Sequence, residues 1–328
     1  RLDCLVVTHF DDDHINGVIK MLQALPQLKI GRILFNCHTG LSQTSEKIEV
    51  ALKELSQFAP LATETAISAT QCCSLAALIL SNKNWREAWR RGGTVLQRQQ
   101  PLHVLGLGRL YPLSPTREKI NVLDKECQRE HARVFFEPVK QMDASLYEIL
   151  LRLAEERAKA EIDEEDEHPV SANVLTAASM RKWNIEADTP DNSASNGASI
   201  AFVLRCGRKK MLFTGDAHPD VLCDGLRKYL SRHRRAFNQP FVFDLVKVPH
   251  HGSVRNNTPE LLKLIDSPRF VICGKNKAML PDMRAVAKIV CRPLPDGIAQ
   301  RALYFNLEHY SNNDIEQFIS TDPASLGA

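Results

Sequence analysis

Three short apolar segments of this sequence each run directly into histidine and aspartate residues. Residues 2–8 (LDCLVVT) lead into His9-Phe10-Asp11-Asp12-Asp13-His14, residues 210–214 (KMLFT) into Gly215-Asp216, and residues 241–248 (FVFDLVKV) into Pro249-His250-His251. Apolar runs rich in β-branched residues are typical of buried strands. Three such clusters in order along one chain favour a shared chemical site over unrelated helix caps and surface residues.

The segments around these motifs alternate between strand and helix patterns. Helical spacing over 15–25 stops at Pro26, and residues 30–36 (IGRILFN) predict a second strand. Residues 198–206 and 210–214 are predicted to pair as a hairpin across Gly207-Arg208. The elements predicted after it are a helix over 219–233, a strand over 241–248, a helix over 259–265 and a strand over 270–273. This order predicts an α/β fold.

The middle of the chain interrupts the alternation. We expect a single domain over 1–328, with an inserted, partly helical segment at about 115–190 that includes the acidic run 161–167 (EIDEEDE). Helices are also predicted over 45–58 and 68–89. Trp85 and Trp89 share a face of the second, which predicts packing against the body of the protein.

Composition narrows the class of protein. With 328 residues, 44% hydrophobic and 25% charged, the chain can bury a sizeable core. It has no uncharged apolar run of about 18 residues, so no membrane segment is predicted. Nine cysteines without a C-x-x-C pair indicate reduced thiols and a cytoplasmic protein. Because the sequence begins with Arg1, we expect that its N-terminus has been trimmed.

The first motif, H-x-D-x-D-H, contains four potential metal ligands in His9, Asp11, Asp13 and His14. Imidazole nitrogens and carboxylate oxygens suit Zn²⁺ or Mn²⁺. A corner between strand and helix would let such closely spaced groups surround a cation, with the helix N-terminus stabilising the carboxylates.

The other two motifs are weaker when taken alone. A carboxylate such as Asp216 can bridge two metal ions, although an aspartate at a strand end is more often a helix cap. A pair such as His250-His251 is more often a surface or packing feature. Their order after separate strands is what favours a metal site.

The run THFDDDHINGV resembles motif II of the metallo-β-lactamase superfamily, with Asp11 in place of the middle histidine. That variant is similar to the soluble hydrolase domain of the ComEC-like DNA-uptake channel proteins and their free-standing relatives. The similarity continues through Asn196-Gly197-Ala198-Ser199, IAFVLRCGRKKMLFTGDA and DLVKVPHHGSVRNNTPELL. It covers most of 1–40 and 190–275.

The resemblance implies a four-layer αββα sandwich whose usual opening strands are missing, with two divalent ions at one edge of the sheets. His9 and Asp11 would hold the first ion, Asp13, His14 and His251 the second, and Asp216 would bridge them. His250 would donate a proton or support a ligand; the order of the two histidines stays open, although the alignment favours His251 as the ligand. The expected substrate-binding residues are Asn196, Ser199 and Ser253, of which Ser253 could receive a phosphate oxygen.

The sequence lacks two histidines that many members of the superfamily have, and their absence bears on the site of the first ion. Residues 110–115 (LYPLSP) lack a further histidine, and Leu280-Pro281 replaces the usual His-Pro. Asp11 also makes the first position richer in oxygen. We therefore expect a weaker first site and Mn²⁺ or mixed occupancy rather than a tight zinc pair.

The expected activity is hydrolysis by metal-activated water, with Asp13 orienting the water and His250 or His218 delivering a proton. Clustered cations suit a phosphate backbone, which favours DNA as substrate, although a solvated helix face explains them equally well. These cations are Arg205, Arg208, Lys209, Lys210, Arg227, Lys228, Arg232, His233, Arg234 and Arg235. Two alternatives are a hydrolase of small esters, lactones or amides, and a non-catalytic protein that binds nucleic acid or another partner.

Overall fold

The computed structural model describes residues 1–9, 11–36, 75, 78–79, 81–98, 100–123, 125, 175–185, 188–232, 239–274, 280–307 and 313–322. The predicted helix over 45–58, the acidic run 161–167 and most of the predicted insertion lie outside these residues, as do His233, Arg234 and Arg235.

A mixed seven-stranded sheet organises the described residues. Its strands, in order across the sheet, are β11 (Ala302–Phe305), β10 (Arg269–Ile272), β8 (Leu245–Lys247), β6 (Lys209–Phe213), β5 (Ala201–Cys206), β4 (Gly108–Ser114) and β3 (Leu102–Val104). Neighbours are parallel from β11 to β6 and antiparallel from β6 to β3. The predicted hairpin is confirmed: β5 and β6 are joined by Gly207-Arg208, and Gly207 has the positive φ of 57° that a tight turn requires.

Two small parallel sheets accompany the large one. The first pairs β1 (Leu5–Val7) with β2 (Ile33–Phe35), and α1 (Asp12–Ala24) connects them. The second pairs β7 (Phe241–Val242) with β9 (Ile265–Asp266). The strand–helix–strand order predicted for residues 2–36 is confirmed, with the helix starting three residues earlier than predicted, since Asp11 is its N-cap.

The remaining helices are α2 (Lys83–Gly92), α3 (Ala177–Ile185), α4 (Ala194–Gly197), α5 (Pro219–Arg232), α6 (Pro259–Leu264), α7 (Met283–Val290) and α8 (Asn313–Ser320). Several begin at capping residues: Asn82, Ser193, Thr258 and Asp282 each accept a hydrogen bond from a backbone N–H of the first turn. Residues 188–197, predicted as turn throughout, contain the short helix α4 because Ser193 caps it.

Three hydrophobic clusters hold these elements together. One lies between the β1–β2 sheet and the helices α1 and α2. It includes Trp85 and Trp89, which are buried on one face of α2 as predicted. A second joins β2 to one face of the large sheet through Leu34, Phe202 and neighbouring side chains. The third covers the opposite face with residues of α5, α6 and α7.

The described residues thus form a mixed α/β fold with helices packed on both sides of the paired sheets, and the α/β prediction is confirmed at that level. Within the described residues, none of the helices combines the length and the apolar character needed to cross a membrane.

Candidate metal centre

The ends of three strands meet at one edge of the sheets. After β1 the chain passes through Thr8 and His9 into α1, and after β6 it turns to Asp216 through Gly215, whose φ is 51°. A Cβ at Gly215 would lie 2.4 Å from Ser199 Oγ, so only glycine fits this turn. Because β8 is the parallel neighbour of β6, the turn that follows it brings His250 and His251 beside Asp216.

Asp216 lies among the predicted ligand histidines. Its Oδ2 is 3.2 Å from His14 Nε2, 3.4 Å from His251 Nε2 and 3.9 Å from His9 Nε2. Asp13 Oδ2 is 2.8 Å from His251 Nε2, and Asp11 Oδ2 is 3.4 Å from His9 Nε2. Two overlapping sets have the spacing of a cation site: His9, His14 and Asp216, and Asp13, His14 and His251.

The second nitrogen of each ring is held by the protein. His251 Nδ1 donates to the carbonyl oxygen of Cys273 at 2.7 Å, which leaves the lone pair on Nε2. Thr8 Oγ1 lies 3.0 Å from His9 Nδ1 and 3.1 Å from His14 Nδ1, so both rings can donate to it. Metal-binding histidines are usually oriented in this way.

The electrostatics of the centre favour a cation. Burial opposes charge on Asp216, but the nearby charges of His14, His250 and Lys247 outweigh it and hold the pKa of this carboxyl well below its usual range. Burial also opposes charge on His9, yet the carboxylates of Asp11, Asp216 and Asp13 outweigh it, so the pKa of His9 is raised.

Buried polar atoms without hydrogen-bond partners also favour a cation at this site. Among the described residues, Asp216 Oδ1 and His9 Nε2 are buried without a hydrogen-bond partner, which is costly in a folded protein. Imidazole and carboxylate together are the donors that Zn²⁺ and Mn²⁺ prefer. The residues present therefore fit a divalent metal ion.

The two adjacent histidines occupy different positions. His251 belongs to a donor set, whereas His250 belongs to neither: its Nδ1 is 2.9 Å from Asn256 Oδ1 and its Nε2 is 3.9 Å from Asp216 Oδ2. Both residues have positive φ, 43° and 50°, a conformation that residues with a Cβ rarely adopt. Burial lowers the pKa of His250, but Asp216 and Asp191 more than compensate and raise it to about 9.

Asp191 is a residue of the candidate site that the sequence reasoning missed. Its Oδ2 accepts hydrogen bonds from Asn196 Nδ2 at 2.8 Å and Asn256 Nδ2 at 3.0 Å, and it lies 3.4 Å from His250 Nδ1. Burial disfavours its charge, but the hydrogen bonds and the charge of His250 keep the pKa of Asp191 low. The sequence shows only a turn-type aspartate, and Ser193 N does bond its Oδ1.

His218 lies on the far side of Asp191 from His250. It is buried, its Nδ1 accepts a hydrogen bond from Lys119 Nζ at 2.8 Å, and its Nε2 is 4.0 Å from Asp191 Oδ1. Of the two histidines considered as proton donors, His250 is the one whose ring reaches Asp216.

The predicted substrate-binding residues are buried beneath the centre. Ser199 Oγ accepts from Asp216 N at 3.0 Å, and the Asn196 side chain is bound to Asp191. Ser253 is buried directly after the His250–Gly252 turn. In the structure Asn196 and Ser199 contact other residues of the site, and substrate binding by these two residues and Ser253 stays a prediction. Ser195, which was not predicted, donates to Asp11 Oδ1 at 2.5 Å.

The chain was compared with protein-family models, curated proteins and solved structures, and none of them matches. No protein-family model matches the chain. The curated proteins give no significant match, and neither do the solved structures.

Proposed function

We propose that this protein is a metal-dependent hydrolase of the metallo-β-lactamase fold that cleaves phosphodiester bonds in DNA. One observation carries the proposal: donor atoms from three strand ends converge on Asp216. The motif order, H-x-D-x-D-H followed by Gly-Asp and His-His-Gly, supports the family. The packing order of helices, small sheet, large sheet and helices supports the αββα sandwich.

Two divalent ions are proposed, Zn²⁺ or Mn²⁺. His9 and Asp11 would hold one, and Asp13, His14 and His251 the other, with Asp216 shared between them. His14 lies in both of the donor sets that the geometry defines. Such ions supply Lewis-acid activation of water for hydrolysis. The ring contacts of Thr8 and of the Cys273 carbonyl would orient the histidines.

The chain's own side chains would handle the proton. Asp13 lies beside His251 at the more exposed side of the centre, where it can orient the attacking water. His250 directs Nε2 towards Asp216, and Asn256 and Asp191 hold its other nitrogen. This arrangement suits His250 for protonating the leaving oxygen.

The proposal is tested by measuring bound metal and DNA cleavage with Mn²⁺, Zn²⁺ and Mg²⁺, using single- and double-stranded substrates. Asp13→Ala and Asp216→Ala should each lower the rate by about a hundredfold or more, since metal ligands matter at least as much as the residues that support them. Asp296→Ala is the matched control, because Asp296 is exposed and has no contact with the centre.

Cleavage that survives both substitutions would contradict the assigned centre. Turnover of small esters without cleavage of DNA would favour the small-molecule alternative. Less than one tightly bound metal ion per chain, with no metal-dependent activity, would favour a non-catalytic binding protein.

A further inference from the structure

Three cations stand directly opposite one another on neighbouring strands of the large sheet. The register pairs Arg109 of β4 with Arg205 of β5, and Arg205 with Lys210 of β6. Neighbouring strands are about 4.8 Å apart, and like charges directly opposite each other destabilise a sheet. This cationic row is therefore an electrostatic cost that a bound anion would relieve.

The cationic row lies on the face of the sheet that α5 covers. Arg205 lies on the same face of β5 as Ala201 and Val203, because every second residue of a strand points the same way. Ala201 and Val203 pack in the cluster that contains the α5 residues. At its margin Lys210 Nζ lies 5.3 Å from the centre of the Phe241 ring. The row thus borders a buried aromatic group in which Tyr229 contacts Tyr111 and Phe241 edge-on.

A cleft beside this group adds further cations. It has a volume of about 130 Å³, lies between β4 and α5, and is flanked by Arg98, Lys228 and Arg232. Burial, and to a smaller extent the charge of Arg32, lower the pKa of Arg98. We call these six residues the basic collar: Arg98, Arg109, Arg205, Lys210, Lys228 and Arg232.

Acidic groups neutralise only part of the basic collar. Lys228 pairs with Asp224 at 2.6 Å, and Asp244 pairs with Lys209, the neighbour of Lys210. Asp244 also accepts a hydrogen bond from the backbone N–H of Lys210 at 2.8 Å, so its charge acts on Lys210 as well. In the described part of the chain, Arg98 and Arg109 have no ion-pair partner. The surface therefore favours an anionic ligand.

The position of the basic collar limits the size of that ligand. Helix α5 starts three residues after Asp216 and ends at Arg232, and its 14 residues span about 20 Å. The basic collar and the metal centre thus lie towards opposite ends of α5. A ligand that reaches both must be an extended polyanion rather than a single phosphate ester.

We propose that the basic collar binds the phosphate backbone of the DNA substrate at a distance from the metal centre. This inference rests on the proposed function for the identity of its partner. The substrate would then be a polymer that contacts the protein through several phosphates along α5 as well as at the scissile bond.

The test is fluorescence anisotropy with a labelled single strand of about 20 nucleotides, in EDTA and over a range of salt. The variant Arg98→Gln/Arg109→Gln/Lys210→Gln should bind about tenfold or more weakly, and the log–log salt slope should fall by about 2, because three phosphate contacts are lost. Thermal unfolding should show this variant to be at least as stable as the native chain at low salt, since like charges have been removed.

The matched control removes the same charge elsewhere. Lys20, Lys83 and Lys263 are exposed and lie outside the basic collar, so Lys20→Gln/Lys83→Gln/Lys263→Gln should change the dissociation constant by less than about twofold. Equal weakening in both triple variants would overturn the proposal, as would an unchanged salt slope in the collar variant. Competition by a mononucleotide as effective as that by the oligonucleotide would also overturn it.

Binding without metal separates this inference from the proposed function. The oligonucleotide affinity of the native chain is therefore measured in EDTA, and hydrolysis by the same preparation is measured separately with Mn²⁺. Collar-dependent binding without any hydrolysis would support the basic collar and contradict the proposed function. Hydrolysis with the same KM in the native chain and the collar variant would support the proposed function and contradict the basic collar.

Discussion

Asp191 binds several groups at once from a buried position. It accepts hydrogen bonds from Asn196, Asn256 and the Ser193 N–H, and it lies beside His250. The loop that carries it is anchored through Asp188, which binds Lys288 and Arg284 of α7. At the scale of single residues, the candidate ligands depend on neighbours outside their own motifs, since Asp191 holds side chains that surround them.

Replacing Asp191 should therefore be costly. Asp191→Ala leaves buried donors without an acceptor, so we expect the free energy of unfolding to fall by about 2–4 kcal/mol. Asp224→Ala, at the exposed ion pair with Lys228 within α5, should change it by about 1 kcal/mol or less. Urea unfolding measures both, and equal midpoints for the two variants would contradict the role of Asp191.

At the scale of elements, the turn His250–Gly252 determines which histidine faces the centre. Three successive residues have positive φ, 43°, 50° and 88°. This conformation sends the His251 ring to the Cys273 carbonyl and the His250 ring to Asn256. The turn therefore separates a candidate ligand from a candidate proton donor within two adjacent residues.

Gly252→Ala should disrupt this turn. Its Cβ would lie 2.6 Å from Pro281 Cβ in addition to the strain of a positive φ, so we expect a loss of about 2 kcal/mol or more and about tenfold weaker zinc binding. Gly207→Ala is the matched control: it has positive φ but open space, and should cost about 1 kcal/mol without affecting zinc. Unfolding and zinc titration measure the two effects, and equal results for both glycines would show that the turn does not depend on close packing.

At the scale of the whole molecule, the candidate centre joins distant parts of the chain. His9 and His14 come from the segment packed with α1 and α2, whereas Asp216 and His251 follow strands of the large sheet. A cation bound there would link the two sheets directly. Metal binding should then act on the stability of the entire fold rather than on one loop.

Adding Zn²⁺ to EDTA-treated protein should therefore raise the Tm. A ligand at a hundred times its dissociation constant stabilises the folded state by about 2.7 kcal/mol. His251→Ala should lose most of the rise, while His103→Ala, at an exposed position of β3, should retain it. Differential scanning fluorimetry measures the shift; a rise that persists in His251→Ala, or disappears in His103→Ala as well, would argue against this centre.

Local patterns predicted much of the fold. The helix before Pro26, the hairpin at Gly207-Arg208 and the shared face of Trp85 and Trp89 all depend on neighbours a few residues apart. The ligand motifs were visible for the same reason, because each is a short run after a strand. Ser193 shows the limit, since a single capping side chain turned a predicted loop into α4.

Local sequence patterns are enough to predict the chemical character of the candidate site: imidazoles and carboxylates following three apolar strands, with positive charge near the hairpin. Which of these groups meet depends on the tertiary structure. It brings the candidate ligands together around Asp216, separates His251 from His250, places Asp191 beside His250 and aligns Arg109 with Arg205 and Lys210. The physical reason is that periodicity and capping act over a few residues, whereas strand order and register bring together side chains that lie far apart in the chain.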